Sequence, residues 1–252
     1  MRPISISEPS RQLAGQYPPH DVLAKAMRAM SQAEREQVIR LWLSEGIPYA
    51  FQRLPMLYER IRDWLAAQIG VHPKMITLIG SARTGFSLAA GSSYGRPFGP
   101  QSDLDFSVVS GELFAAVASD FSRWKADVSA GTARPRNNTE AKYWEDNLNR
   151  IPRNISRGFI NTHEIPAWLR YRTAQRITQT VYLLSQRVTI SPDAPTIRRQ
   201  KGISLRLYRD WNAFESQIAL NLSKTFGSPP VNQSTVAAKR TGQGDPPSKS
   251  AS

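Results

Sequence analysis

Two short apolar runs set the terms on which this chain can fold. Met75, Ile76, Thr77, Leu78 and Ile79 form a partly β-branched stretch that stops at Gly80, and Leu104, Phe106, Val108 and Val109 form an alternating one that stops at Gly111. Runs this short, bounded by glycine, are read as buried strands over 75–79 and 103–110 rather than as helices. A third segment, 203–209, alternates apolar and basic side chains, as a half-exposed strand does. Apolar residues at three- and four-residue spacing predict helices elsewhere: over 21–45, with Asp21 as N-cap, Gly46 as stop and a possible break near Ser31, and over 57–69, 112–128, 140–150, 167–188 and 211–226. Residues 157–165 carry no clear period. Strands separated by helices predict an α+β domain of α/β-like character, a core sheet flanked by helices with further helices at its N-terminal side.

Of the 252 residues, 1–20 and 227–252 offer few large apolar side chains and are expected to be loose tails around one domain at 21–226. No stretch approaches the ~20 apolar residues needed to cross a bilayer, and the first residues lack the apolar run of a secretory signal, so a soluble, cytoplasmic protein without membrane contact is expected. There is no cysteine, and His20, His72 and His163 lie too far apart for a local zinc motif. A metal, if bound, must be held by carboxylates. The net charge of +13 favours polyanionic partners such as RNA, DNA or nucleotides. Arginine is dense from Arg150 to Arg209, Arg198 and Arg199 included, and suits bidentate phosphate contacts, although solvated helix faces would look the same.

The segment 78–110 carries the chemistry. A buried strand ending in Gly80-Ser81 makes a tight turn whose amides and serine hydroxyl can approach a phosphate. Asp103 and Asp105, two apart on a strand, project from one face and suit oxygen coordination of Mg²⁺ or Mn²⁺. Each signal is common by itself. Together, on an otherwise apolar strand where an unpaired carboxylate is costly to bury, they point to function.

The order apolar strand, Gly80-Ser81, spacer, then Ser102-Asp103-Leu104-Asp105-Phe106 resembles the signature of the polymerase β-like nucleotidyltransferase superfamily. The resemblance implies a triphosphate held by Gly80 and Ser81, and Asp103 and Asp105 as catalytic metal ligands. It implies a Mg²⁺- or Mn²⁺-dependent transfer of a nucleoside monophosphate from a nucleoside triphosphate (ATP among the candidates) to a hydroxyl. The acceptor stays open among RNA, protein, a small molecule and a second nucleotide. Two features depart from the pattern. The spacer 82–102 is long, so the Gly-, Ser- and Pro-rich piece at 91–100 reads as an inserted loop that could close as a lid. The third carboxylate that active members carry on a later strand is not evident: Glu164 and Asp210 are candidates, and Asn161 stands in a stretch where an aspartate would be expected.

Around the motif, Arg83 and Thr84 are placed to reach phosphates or to serve as a surface arginine and a cap. Ser87 and Arg96 are candidate loop contacts, and Tyr94 and Phe98 could stack on a base or pack the loop. Arg206 and Tyr208 should share one strand face, with Leu205 and Leu207 on the other, and Arg206 would stabilise charge if its face lines the cleft. Besides the enzyme reading, a catalytically weakened nucleotidyltransferase fold that senses nucleotide or binds a protein partner, of toxin-antitoxin or defence type, fits the uncertain third carboxylate.

Overall fold

A computed structural model describes residues 4–190 and 202–229. Residues 230–252 of the expected C-terminal tail, and Arg198 and Arg199 of the basic stretch, lie outside the described residues.

The helices are α1 (Glu8–Arg11), α2 (His20–Ala29), α3 (Gln32–Trp42), α4 (Pro55–Ile69), α5 (Ser81–Thr84), α6 (Gly111–Ser129), α7 (Asn138–Ser156), α8 (Arg172–Ile190) and α9 (Trp211–Phe226); the strands are β1 (Ile76–Ile79), β2 (Leu104–Val109), β3 (Phe159–Asn161) and β4 (Ile203–Tyr208). The class is α+β. Strand order is β1-β2-β4-β3, with β2 and β4 parallel and both outer pairs antiparallel. One consequence matters for function: the C-terminal ends of β1 and β3 and the N-terminal ends of β2 and β4 fall on the same edge of the sheet.

The strand period divides the core in two. Ile76, Leu78, Phe106, Val108, Ile160, Leu205 and Leu207 point to one face, packed against α4, α6, α7 and α8 through Leu65, Trp124, Trp144 and Ile177. Val109, Phe159 and Tyr208 point to the other, against α2, α3 and α9 through Met27, Ile39 and Phe214. Both faces are therefore covered, which is why the strands read as near-continuous apolar runs. At the β1 edge, the Leu78 amide donates to the Tyr58 hydroxyl at 3.2 Å.

Sequence and structure differ in four places, each for a local reason. Asp21 is in the first turn of α2, whose N-cap is Pro19, while the break near Ser31 is present, with α2 ending at Ala29 and Ser31 capping α3 in a capping box with Glu34. The N-terminal segment expected to be loose carries α1 and buries Leu13, and the Tyr17 hydroxyl donates to the Ile47 carbonyl at 2.8 Å. The helix expected at 140–150 runs to Ser156 through Pro152. Pro166 delays α8 to Arg172, where the buried Asp120 of α6 accepts from the Thr173 and Ala174 amides at 2.8 and 3.0 Å. Among the described residues no helix is long and apolar enough to cross a membrane.

Candidate functional site

At the sheet edge where β1 ends, Gly80 takes φ +71° and ψ −155°, a region essentially reserved for glycine, and turns the chain straight into α5. A side-chain Cβ here would lie 3.3 Å from Asp105 Oδ2, so the missing side chain also lets turn and carboxylate approach. The Arg83 and Thr84 amides return to the Gly80 carbonyl, so those of Ser81 and Ala82 precede the first bond of the helical turn.

Asp105 sits on β2 opposite Ile79 of β1 and Ser204 of β4. Ser204 Oγ donates to Asp105 Oδ1 at 2.6 Å, which fixes the carboxylate and leaves Oδ2 on the Gly80 side. Asp103 is one residue ahead of β2, not on it, yet both carboxylates line the same cleft. Asp103 is exposed and Asp105 half-buried, so the expected cost of burying them is largely avoided by placing them at the open strand end.

The cleft has a volume of about 430 Å³, and Gly80, Ser81, Asp103 and Asp105 meet in it. The long spacer forms one wall, contributing Ser87 and, from the inserted loop, Arg96. Bonds between Ser87 and Arg96 (2.8 Å) and between Phe98 and Gly85 (2.8 Å) tie this loop into a hairpin-like unit, and Thr225 of α9 donates to the Leu88 carbonyl at 2.8 Å. Tyr94 and Phe98 pack the loop rather than face the cleft: Tyr94 meets Phe226 edge-on and bonds to His20, and Phe98 meets Tyr49. Helix α9 supplies the other wall with Asn221 and Lys224, which sequence reading missed. The sequence carries no distinguishing signal for them, because α9 also bears Asn212, Glu215, Gln217 and Ser223. Arg96 and Lys224 are exposed cations that line the same cleft as the carboxylate pair.

Arg83 does not join them, contrary to the reading that it contacts phosphate. It is 3% exposed, and its Nε and Nη1 donate to the carbonyls of Trp42 and Gly46 at 3.1 and 2.8 Å, fastening α5 to the end of α3. Desolvation holds its guanidinium below the ordinary value, partly offset by Tyr58, Tyr17 and Glu45. Sequence spacing could not decide which side of a four-residue turn this side chain would take.

Neither third-carboxylate candidate reaches the pair by a direct bond. Asp210 caps α9, accepting from the Ala213 amide at 2.7 Å and from Arg209 Nε at 2.8 Å, and both interactions lower its pKa. Glu164 is buried at the β3 end, where Oε1 receives Asn161 Nδ2 at 2.8 Å and Arg150 at 3.1 Å, while Oε2 has no partner. Arg206 Nε donates to Asn161 Oδ1 at 2.7 Å, and its guanidinium lies 5.1 Å from the Phe159 ring centre. The face of β4 beside Asp105 thus carries Ser204 and Arg206, with no acid. His163 next door is held below its ordinary pKa by desolvation first and by Arg150 and Arg206, against Glu164. Its side chain is nevertheless exposed, so this is crowding at a cavity mouth rather than burial in the core.

Among the described residues no group of three or more His, Cys, Asp or Glu side chains is arranged to hold a metal ion. Mg²⁺ in nucleotide sites is commonly bound by one or two carboxylates, with phosphates and water completing the shell, and the Asp103–Asp105 pair fits that demand.

No family model, curated protein or solved structure matches the chain.

Proposed function

We propose that the protein is a nucleotidyltransferase that binds a nucleoside triphosphate at the Gly80-Ser81 turn and transfers its nucleoside monophosphate to an acceptor hydroxyl. The observation that carries this reading is the convergence of Gly80, Ser81, Asp103 and Asp105, distant in sequence, on one cleft that also holds Arg96 and Lys224. The polymerase β-like resemblance of the same residues supports it.

In this reading the turn amides and the Ser81 hydroxyl bind phosphate oxygens, and the two cations neutralise the rest of the phosphate charge. Asp103 and Asp105 would hold a divalent ion, Mg²⁺ or Mn²⁺, which when bound supplies charge neutralisation and orients the phosphates. Ser204 keeps Asp105 in one rotamer, and the tied loop and α9 keep the cleft walls apart at a set width. Most of the rate enhancement asked of such a site is positioning and electrostatics rather than covalent chemistry.

Ser204 and Arg206 on the β4 face favour a second reading, a fold weakened in catalysis that senses nucleotide or binds a protein partner. Turnover separates the two. The purified protein is incubated with each labelled triphosphate and Mg²⁺ or Mn²⁺, with and without total RNA, beside an Asp103→Ala/Asp105→Ala double variant. Metal-dependent pyrophosphate release lost in the variant supports the enzyme. Triphosphate binding without release under any condition supports the second reading, and absence of triphosphate binding overturns both.

A further inference from the structure

Ser81 of α5 borders the cleft, whereas Arg83 and Thr84 of the same short helix border a different cavity of about 360 Å³, which shares no lining residue with the cleft. That volume is within the range of small-molecule sites. Its walls are mainly hydrocarbon, from Pro18, Leu23, Leu41, Ile47 and Phe86. The polar side chains among them are already engaged. Tyr17 Oη and Gln16 Nε2 donate to the Ile47 carbonyl at 2.8 and 3.2 Å, Trp42 Nε1 donates to the Gly15 carbonyl at 3.1 Å, and Thr84 Oγ1 donates to the Phe86 carbonyl at 2.6 Å. Arg83 is the exception. Its Nε and Nη1 hold backbone carbonyls, but among the described residues Nη2 has no acceptor and the guanidinium has no carboxylate within ion-pair distance. Nη2 is not sealed away either: the enclosed side-chain atoms without a partner include two nitrogens of Arg35 and none of Arg83. Glu45 also borders the cavity, from an exposed position.

We propose that this cavity binds a small amphiphile with an apolar body and a single carboxylate, the carboxylate accepting from Arg83 Nη2. The inference goes beyond the nucleotidyltransferase reading and does not depend on it. A guanidinium stays protonated inside a protein. One that is buried and answered only by carbonyl dipoles is costly, and a carboxylate supplies the missing counterion through a charge-assisted bond. The single nitrogen on offer suits a single negative charge, because a phosphate dianion would carry a second charge against apolar walls with nothing to pair it. Those walls in turn require a hydrocarbon body, whose burial gives the affinity that a bare ion would lack. Glu45 at the rim repels an anion and Arg83 inside attracts it, so the ligand lies with its head inward.

The test is calorimetric titration of the full chain with octanoate and with octanol, which share a body and differ in the head. Octanoate should bind about tenfold or more tighter than octanol, the factor that a hydrogen bond to a charged group supplies. Two exposed positions tune the site while leaving its inner wall intact. Glu45→Gln removes a like charge and should tighten octanoate about twofold or more; Leu41→Glu removes apolar wall, adds a like charge and should weaken it about fivefold or more. Arg83→Met should abolish the preference, so that the two ligands bind alike. If circular dichroism shows Arg83→Met to be unfolded, the preference of the wild type and the two exposed variants decide. Octanol binding as tightly as octanoate, a folded Arg83→Met protein that keeps the preference, octanoate binding unchanged in Leu41→Glu, or no octanoate binding by the wild type overturns the proposal, and each of these leaves the nucleotide site standing.

Discussion

Gly80→Ala puts the turn under a direct test. The new Cβ meets two penalties: a backbone conformation nearly closed to side chains, worth about 1–3 kcal/mol, and a contact of 3.3 Å with Asp105 Oδ2, which must give by a few tenths of an ångström. Because Ser204 holds the other oxygen at 2.6 Å, the carboxylate yields by rotating off its aim into the cleft. In a domain of this size 1 kcal/mol moves Tm by roughly 2–4 °C, so the variant should melt about 2–12 °C lower. Gly70→Ala is the control: Gly70 is a left-handed C-cap at φ +76° with nothing within 4 Å of the added Cβ, and replacing it costs roughly 1–2 kcal/mol from backbone strain alone. The two stability losses overlap, so the deciding assay is calorimetric titration with a non-hydrolysable triphosphate and Mg²⁺ below both melting points. Gly80→Ala should lose about tenfold in affinity, equivalent to ~1.4 kcal/mol, and Gly70→Ala nothing. A folded Gly80→Ala protein that binds triphosphate like the wild type would refute the assignment of this turn to phosphate.

Arg83→Met keeps the buried stem but removes two charge-assisted hydrogen bonds, so it should cost about 2–4 kcal/mol of stability by denaturant titration while triphosphate affinity holds; a stable variant with weakened binding would return Arg83 to the site. Asp120→Ala strands the Thr173 and Ala174 amides at the start of α8 and should cost about 2–4 kcal/mol, with Asp120→Asn, which keeps one acceptor, losing clearly less. The pH profile of Tm has two parts. Glu34, Asp127, Glu140 and Asp210 are held below their ordinary values, first by Ser7, Tyr171, Arg136 and Arg209 respectively, so their stabilisation is complete above the ordinary carboxylate range and is lost as pH falls through their lowered values. All four are largely solvent-screened, so the acid limb should be shallow, and Glu34→Gln with Asp210→Asn should flatten it further. His163, lowered by desolvation, adds an earlier small loss as pH falls through about 6.5, and this step should vanish in His163→Gln.

Those parts of the fold that follow from local rules were legible in the sequence. Gly80 and Gly111 bounded β1 and β2, the basic alternation of 203–209 marked β4, and Leu205 and Leu207 did take the opposite face from Arg206 and Tyr208. What tertiary contact decides was not legible. A three-residue strand such as β3 has too few positions to show a period, and it exists because β4 pairs with it through Tyr208, Leu207 and Arg206. Leu13 lies in a segment with few apolar residues, and its burial in one cluster with residues of α2, α3 and α9 is set by tertiary packing. In the site, Gly80-Ser81 and Asp103/Asp105 could be singled out because their chemistry is unusual for an apolar strand. Lys224 could not, since a lysine on a helix is ordinary until the helix is known to pack across the strand ends.

The parallel pairing of β2 with β4 sets the order in which the molecule can be completed. Asp105 and the Ser204 that restrains it are 99 residues apart. At synthesis rates of ~5–20 residues per second, β2 leaves the ribosome roughly 5–20 s before its partner strand exists. During that interval β1 and β2 can form their hairpin and the Gly80 turn, but the carboxylate pair faces an open strand edge, and α9, the far wall of the cleft, has not been made. The nascent chain therefore carries its acidic pair early and a closed site only at the end, and a protein truncated before 203 should lose the cleft while retaining the hairpin that begins it.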